Sequence, residues 1–466
     1  MLDIIIKNGR VVSPDSVVTM DIGIKDGTIA ILGKAEDMPE AARVIDAAGK
    51  YVMPGGIDSH CHMELPFDAT SNTKDDFFDG GRAEAIGGTT TLIDFITQDK
   101  ERPLMTDVEI RFEEAEKCPI DYAFHCIITK ADADTISKMK GLVDRGISSF
   151  KCYMLYKEDG CMAEAGDMLA AMREARECGA LFGAHAESYE LSDYNIRKAV
   201  EEGHTEPWWH AITKDSIVEA EGINRAMFLA DVAGSAYYNF HMTVKEGYEM
   251  MKKARQEGKP FYAETITHYL VLTDEKLREP HGERFICSPP LRPQEHIDAI
   301  WKGLADGTVS TIGSDECSYD TAQKNSSGGS FNTVANGLCG CEFRMPVVFS
   351  EGVNKGRISL SRYVEVTSTN AAKIFGLYPQ KGIIAIGSDA DIVIMDPDKE
   401  KTVTMEDTQI DIDFNPYEGL TVKGWPVMTI ARGKVIVEDG KFVGERGAGR
   451  FLPMALNPDV LKAPIV

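Results

Sequence analysis

The stretch Gly55-Gly56-Ile57-Asp58-Ser59-His60-Cys61-His62 combines a short apolar strand with two histidines that are separated by one residue. Side chains at positions i and i+2 of a strand point to the same face. His60 and His62 can therefore approach one ion from a rigid element, as the ligands of an open, catalytic metal site do. Because His-x-His also occurs by chance, the interpretation depends on the rest of the chain.

Outward from this stretch, buried apolar strands alternate with helix-period segments up to about residue 377, which indicates βαβ units and a parallel sheet. Eight such strands can be identified, and they cover Gly56–His62, Thr91–Ile96, Ala123–Ile128, Ser148–Tyr153, Leu181–Ala186, Ala236–His241, Phe261–Ile266 and Ser310–Asp315. Helical periodicity lies between them, for example over Asp167–Cys178 and over Ser216–Ala230, where Ile217 and Ile223 share the apolar face. The sequence therefore predicts an α/β fold, a (β/α)8 TIM barrel.

The two ends of the chain have a different texture, with short β-type runs separated by Gly and Asp turns. We expect residues 1–53 and 378–440 to pair with each other as a small β-sandwich domain. The barrel would occupy residues 54–377, which exceeds the roughly 250 residues typical of the fold, so several βα loops must be extended. Residues 441–466 have little pattern of their own and are predicted to form a C-terminal tail.

Composition narrows the class of protein. The formal net charge of −24 argues against binding to nucleic acid or to an anionic membrane. No run of about 18 apolar residues is present, and the N-terminus alternates like a strand and lacks the layout of a signal peptide. The ten cysteines include no Cys-x-x-Cys pair, which is typical of reduced thiols in a cytoplasmic protein.

Catalytic groups of a TIM barrel project from the carboxyl ends of its strands. In the predicted strands those ends carry four of the chain's ten histidines, one lysine and one aspartate, namely His60, His62, His185, His241, Lys151 and Asp315. Chance can place one such residue at a strand end, but not so many on separate strands. The pattern predicts a metal site at the mouth of the barrel.

Lys151 is the unusual member of this set. Burial of an unpaired ammonium is costly and favours the neutral amine. A neutral amine beside metal ions can add carbon dioxide and become a carbamate, which is in effect a carboxylate on a long arm that can bridge two cations. An ion-paired core lysine is the simpler alternative, but a lysine cation would repel metal ions bound by the neighbouring histidines.

Further motifs identify a family resemblance. They are Pro54–Asp58 leading into the His-x-His pair, Gly87–Thr91, Phe150-Lys151, Ser288-Pro289-Pro290-Leu291-Arg292, Asn336-Gly337 and Gly387–Ile394. Over roughly residues 1–450 the chain resembles the amidohydrolase superfamily, and within it the dihydropyrimidinase and hydantoinase family. The resemblance implies hydrolysis of a dihydropyrimidine or a 5-substituted hydantoin to an N-carbamoyl amino acid, in a cytoplasmic homotetramer to which the tail contributes contacts between subunits.

The resemblance also implies roles for individual residues. One metal ion would be held by His60, His62 and Asp315, and a second by His185 and His241, with N6-carboxylysine at Lys151 and a hydroxide between them. Zinc is the expected metal, although manganese, cobalt and iron suit the same ligands. Asp315 would move the proton, Tyr156 would donate to the oxyanion, and the backbone at Ser288 and Asn336 would bind the imide edge of the ring.

Alternatives remain open on the sequence alone. Dihydroorotase-like and allantoinase-like relatives place Arg or Asn shortly after the His-x-His pair, whereas Met63–Phe67 is mostly apolar and suits an uncharged ring. A non-catalytic scaffold relative would have lost metal ligands. The chain departs from the family at Glu316, at His268 and at Ile212–Lys214, and these departures predict either an altered substrate choice or drift in packing. Stereoselectivity would depend on the loops Met63–Thr73 and Met154–Met162.

Overall fold

The computed structural model describes residues 1–67 and 71–466 of the chain. Seven strands precede the barrel: β1 (Leu2–Lys7), β2 (Arg10–Val12), β3 (Val17–Thr19), β4 (Asp21–Lys25), β5 (Thr28–Gly33), β6 (Ala41–Asp46) and β7 (Tyr51–Pro54). The predicted loop Met63–Thr73 includes residues 68–70, which lie outside the described residues.

Eight parallel strands form the barrel: β8 (Gly56–Asp58), β9 (Thr89–Thr97), β10 (Asp121–Ile127), β11 (Ser149–Tyr153), β12 (Leu181–His185), β13 (Tyr237–Asn239), β14 (Phe261–Ile266) and β15 (Thr311–Gly313). Each strand pairs with its neighbour in chain order. The first and last meet through backbone bonds just beyond their ends, because Asp315 N donates to His60 O at 2.8 Å and His62 N donates to Glu316 O at 3.0 Å. The predicted TIM barrel is confirmed.

Three of the strands that were predicted to carry ligands are shorter than predicted. Strand β8 ends at Asp58 and not at His62, β13 ends at Asn239 and not at His241, and β15 ends at Gly313 and not at Asp315. Just beyond β13 and β15 the backbone leaves the extended region, with φ of 40° at His241 and 49° at Asp315. His60, His62, His241 and Asp315 therefore lie on the segments that follow their strands, whereas Lys151 and His185 lie within β11 and β12.

Helices surround the barrel: α1 (Phe77–Ile86), α2 (Leu104–Ala115), α3 (Ala133–Asp144), α4 (Ala165–Cys178), α5 (Tyr189–Glu201), α6 (Trp209–Thr213), α7 (Ser216–Ala233), α8 (Lys245–Gln256), α9 (Gln294–Asp306), α10 (Thr321–Lys324), α11 (Arg344–Val348), α12 (Leu360–Val364) and α13 (Asn370–Ile374). Helix α7 begins where the Asp215 side chain accepts from two backbone N–H groups and ends at Gly234, which is left-handed. Ile223 is buried as predicted, but the prediction for Ile217 was wrong: its side chain is 64% exposed, because the buried face passes through Val218.

The terminal segments come together as predicted. Four strands complete the fold: β16 (Ile392–Thr402), β17 (Thr421–Ala431), β18 (Lys434–Glu438) and β19 (Lys441–Phe442). They join β7, β2 and β3 in one sheet, while β5, β4, β1 and β6 form a second sheet. Apolar side chains from both ends of the chain fill the space between the sheets, including Ile6, Ile24, Val52 and Ile394. The residue boundaries of the domains stay a prediction.

The tail beyond β19 lies along the bottom of its own barrel. Leu452, Met454 and Val460 share an apolar cluster with Leu181 and Tyr238 of the barrel interior. A crossing of the tail to a neighbouring subunit therefore remains a prediction. None of the described helices has the length and apolar character needed to cross a membrane. All ten cysteines carry free thiols, as the cysteine pattern predicts.

A buried lysine links the two domains. Lys381 Nζ lies 2.7 Å from Asp121 of β10, 2.6 Å from Asp391 and 3.1 Å from Asp389. Its side chain is 1% exposed. Although burial alone lowers the pKa of Lys381, the carboxylates of Asp391 and Asp121 raise it above its ordinary value. The ammonium therefore stays charged and balances a cluster of buried carboxylates.

Replacing Lys381 with methionine should lower the free energy of unfolding by about 3–5 kcal/mol, because it leaves buried carboxylates without their partner. Chemical denaturation of the purified protein measures this change. The matched control is Lys140→Met, whose pair with Asp144 is about two-thirds exposed and should cost less than about 1 kcal/mol. Equal losses of unfolding free energy in the two variants would show that the pairing of Lys381 with the buried carboxylates does not stabilise the fold.

Candidate metal centre and active site

The carboxyl ends of the barrel strands surround a cavity of about 670 Å³. Its walls include most of the predicted site residues, namely His62, Lys151, Tyr156, His185, His241, Ser288, Asp315 and Asn336. His60, the remaining one, is fully buried beneath the floor. The structure thus brings every sequence-predicted site residue to one place, although they come from distant parts of the chain.

The densest part of the site is centred on His60. Its Nε2 lies 3.2 Å from His62 Nε2, 3.1 Å from Asp315 Oδ1 and 3.0 Å from Lys151 Nζ. Potential ligand atoms of His60, His241 and Asp315 all lie within 4.8 Å of one another. The ring of His241 lies next to that of His60, with centroids 5.3 Å apart, and the ring of His185 lies next to that of His241, with centroids 4.4 Å apart. Imidazole nitrogens and a carboxylate at this spacing are a suitable donor set for a divalent metal ion.

The protonation states of His62, His241 and Asp315 also fit a metal. Burial lowers the pKa of His62 and of His241 well below the ordinary value, so both rings are neutral, which is the form that ligates. Nδ1 of His241 is buried and has no hydrogen-bond partner among the described residues. Burial raises the pKa of Asp315, but the His60 imidazole outweighs this effect and holds it well below the ordinary range, so the carboxylate is ionised.

Lys151 lies within this cluster with its side chain almost fully buried. Its Nζ contacts His60 and lies over the rings of Phe95 and Phe240, 4.3 and 4.7 Å from their centroids. Burial lowers the pKa of the amine to about 8, although Asp315 and Glu264 act in the opposite direction. The contacts are therefore not those of an ion-paired core lysine.

The backbone is left-handed at several positions of the site. Tyr156, His241 and Asp315 have φ of 63°, 40° and 49°, which residues other than glycine seldom adopt. Such conformations persist only where the surrounding structure enforces them, and they are frequent at functional sites. Here they turn the chain sharply at the strand ends and so direct side chains into the mouth of the barrel.

Comparison with known proteins places this geometry in a family. Residues 51–436 match the sequence profile described as the Amidohydrolase family. The chain belongs to the amidohydrolase family. It is 42% identical to D-hydantoinase from Geobacillus stearothermophilus, with 97% of this chain and 96% of that protein aligned. It is 41% identical to D-hydantoinase from Ralstonia pickettii, with 97% and 98% aligned.

Solved structures agree with these relatives. Dihydropyrimidinase from Brevibacillus agri NCHU1002 superposes with a TM-score of 0.94 at 37% identity, over 98% of this chain and 99% of that one. The resemblance to the dihydropyrimidinase and hydantoinase branch of the family is therefore confirmed. Amidohydrolases are metal-dependent, and the cluster of His60, His241 and Asp315 is where this amidohydrolase can hold a metal ion.

Two carboxylates orient the candidate ligands of this amidohydrolase. Glu264 Oε1 lies 2.6 Å from His60 Nδ1, and its Oε2 accepts from Ser59 Oγ at 2.8 Å and from Tyr238 OH at 2.9 Å. Glu187 Oε2 lies 2.6 Å from His185 Nε2. Neither glutamate was assigned a role from the sequence. The signal that could have revealed Glu264 was the presence of an acidic residue within the mostly apolar strand Phe261–Ile266.

Replacing Glu264 with glutamine should weaken metal binding by about 10–100-fold, because a carboxylate bonded to His60 Nδ1–H fixes the ring tautomer and leaves Nε2 for the ion. Competition of the loaded protein with a metal chelator measures the affinity. Glu295→Gln, an exposed glutamate on α9, is the control and should retain metal like the parent chain. Unchanged affinity of the Glu264 variant would exclude this orienting role.

The residues that differ from the family pattern, Glu316, His268 and Lys214, make different contacts near the site. Glu316 is buried, and its Oε2 accepts from Gly340 N and Cys341 N, both at 2.8 Å. His268 is buried beside Tyr269, and burial lowers its pKa to about 4. Lys214 donates to Ser288 Oγ at 2.6 Å. His125 is buried in the core, where its Nε2 donates to Ser59 O at 3.0 Å.

Proposed function

We propose that this amidohydrolase hydrolyses uncharged cyclic amides and imides, dihydropyrimidines or 5-substituted hydantoins, to N-carbamoyl amino acids. The observation that carries the proposal is the convergence of four histidines, Lys151 and Asp315 at the floor of one cavity. The near full-length similarity to D-hydantoinases supports the class of substrate.

The metal centre would have two ions. We propose that His60, His62 and Asp315 hold one, that His185 and His241 hold the other, and that Lys151 bridges them as a carbamate formed with carbon dioxide. Zinc is the metal we expect, since imidazole and carboxylate ligands suit it. When bound, two such cations supply a hydroxide at neutral pH and polarise the carbonyl under attack.

The protein's own groups then move protons and hold the ring. Asp315, ionised in the resting site, would accept the single proton of the attacking hydroxide and deliver it to the ring nitrogen that leaves, acting first as base and then as acid. Burial raises the pKa of the Tyr156 phenol well above its ordinary value, so the hydroxyl keeps its proton and donates to the developing oxyanion. Backbone groups of Ser288 and Asn336 would hold the imide edge.

The cavity wall favours an uncharged ring with an apolar substituent over dihydroorotate, which carries a carboxylate, and over allantoin, which carries a polar ureido group. Leu65, Pro66 and Phe67 form one side of it. Among the described residues that line this cavity none is an arginine, the side chain best suited to a substrate carboxylate. A dihydroorotase-like or allantoinase-like activity is therefore the second candidate, and a non-catalytic scaffold is the third.

The deciding experiment measures ring opening of dihydrouracil, hydantoin, 5-phenylhydantoin, dihydroorotate and allantoin by loss of ultraviolet absorbance, with metal content determined on the same sample. Turnover of dihydrouracil, hydantoin or 5-phenylhydantoin at about two metals per chain supports the proposal. Chelation of the metal should abolish this turnover. Full metal loading without turnover of any ring contradicts the substrate class. A folded protein that binds no metal would favour the scaffold alternative.

Assembly and location complete the proposal. We propose a cytoplasmic homotetramer, in line with the free thiols and with the family resemblance. Light scattering after size-exclusion chromatography tests the assembly, and a stable monomer would contradict it.

A further inference from the structure

Two buried lysines lie behind the edge of the cavity formed by Ser288 and Asn336. Lys214 follows helix α6 and is 5% exposed, and Lys324 ends helix α10 and is fully buried. Neither lines the cavity. Neither lysine forms a salt bridge within the described residues; both donate their N–H groups to uncharged partners. An arrangement this costly calls for a compensating role.

Lys324 ties together the two segments that form the edge. Its ammonium donates to Ile286 O at 2.9 Å, to Ala335 O at 3.0 Å and to Gly337 O at 2.8 Å. An ammonium has three donors, so these bonds use all of them. Gly337 N also donates to Ile286 O, at 3.1 Å. The backbone on both sides of Asn336 is thereby fixed to the residue two positions before Ser288.

Lys214 holds Ser288, the other residue of this edge. Its Nζ donates to Ser288 Oγ at 2.6 Å, and Ser288 Oγ lies 3.2 Å from Asn336 Oδ1, to which it donates. His210, one turn earlier in α6, lies with Nε2 2.8 Å from Cys287 O. The side-chain oxygen of Ser288 is therefore bonded to Lys214 and to Asn336, and the backbone groups of Ser288 and Asn336, which both line the cavity, remain available to a ligand.

We infer that Lys214 and Lys324 are positioning residues, which hold the Ser288 and Asn336 backbone in the geometry that binds the ring. The inference rests on the proposed function for the nature of the ligand. Charge-assisted hydrogen bonds to a hydroxyl and to carbonyls are stronger than neutral ones, so the two lysines fix the edge more rigidly than neutral donors would. Neither lysine hydrogen-bonds to any of the candidate metal ligands, and so their loss should leave the metal ions bound. Lys214 Nζ also lies 5.8 Å from the ring centroid of Tyr156, and Lys214→Arg keeps a cation beside that ring.

The test compares Lys214→Met and Lys324→Gln with the parent enzyme. Each should raise KM for hydantoin and dihydrouracil about tenfold or more, with kcat within about twofold and metal content unchanged, because an edge that binds ground state and transition state equally affects KM alone. Hydrogen exchange should accelerate at the Gly337 amide. Lys214→Arg should recover most of the KM, since arginine can still donate to Ser288 Oγ.

The control is Lys252→Met, an outer-surface lysine paired with Asp306, which should leave KM, kcat and exchange unchanged. Unchanged KM and exchange in both site variants, or a joint loss of kcat and metal, would overturn the inference. If Lys324→Gln does not fold, the same measurements on Lys214→Met alone test the inference. If the parent enzyme opens no ring, the proposed function fails, and the exchange rate at Gly337 still tests the positioning role.

Discussion

Replacing Asp315 with asparagine should reduce kcat for ring opening by about 10²–10⁴-fold, the usual contribution of a positioned general acid and base. The carboxylate lies 3.1 Å from His60 Nε2 and 3.4 Å from His62 Nε2, and the His60 imidazole keeps its pKa well below the ordinary range against the effect of burial. It is therefore ionised at neutral pH, which is the state that a general base requires. An amide at the same place accepts no proton, and it is also a weaker metal ligand.

Steady-state kinetics and metal analysis on the same Asp315→Asn sample separate the two roles. If metal content is kept while kcat falls, the loss belongs to proton transfer. If metal and activity fall together and excess metal restores neither, the ligand role dominates. Asp298→Asn, an exposed carboxylate on α9, is the matched control. Retention of more than about a tenth of the parent kcat by Asp315→Asn would exclude Asp315 as the acid and base.

The fold was largely predictable because its signal is local and repeated. Each barrel strand is a short buried run between helical segments, so the alternation survives errors at single positions. The ends of β8, β13 and β15 were not predictable in the same way. Left-handed turns at His241 and Asp315 end the strands, and these are conformations that histidine and aspartate adopt only when tertiary contacts enforce them.

The candidate site was predictable where residues follow the barrel rule, since strand ends meet at one mouth whatever the loops do. Supporting residues were not. Glu264 is one inward-facing acid in an apolar strand, and Lys324 lies on a four-residue helix that no periodicity indicates. Their importance comes from contacts with residues 204 and 38 positions away in the chain. Such pairings become visible only when the chain is folded.

Lys151→Met should reduce activity by more than the roughly 10–100-fold that loss of an outer partner costs, and should leave the protein without its full metal complement. A carbamate is the proposed bridge between the two ions, and a thioether offers no replacement. Lys151→Arg should be equally inactive, because a guanidinium stays charged and cannot take up carbon dioxide. An ion-paired structural lysine would behave differently, since arginine would then restore much of the function.

The pH dependence of metal reloading gives an independent test of Lys151. Burial lowers the pKa of its amine to about 8, so the neutral, reactive form is roughly 1% of the total near pH 6 and most of it near pH 9. With dissolved carbon dioxide held constant, chelated protein should therefore regain metal and activity faster as pH rises through about 8, and removal of carbon dioxide should slow recovery at every pH. Recovery that ignores carbon dioxide but still quickens with pH would mean that Lys151 binds as the free amine, and recovery that ignores both would mean that Lys151 is no ligand. The centre would then lack the carbamate's negative charge, and only Asp315 and the hydroxide would balance two dications.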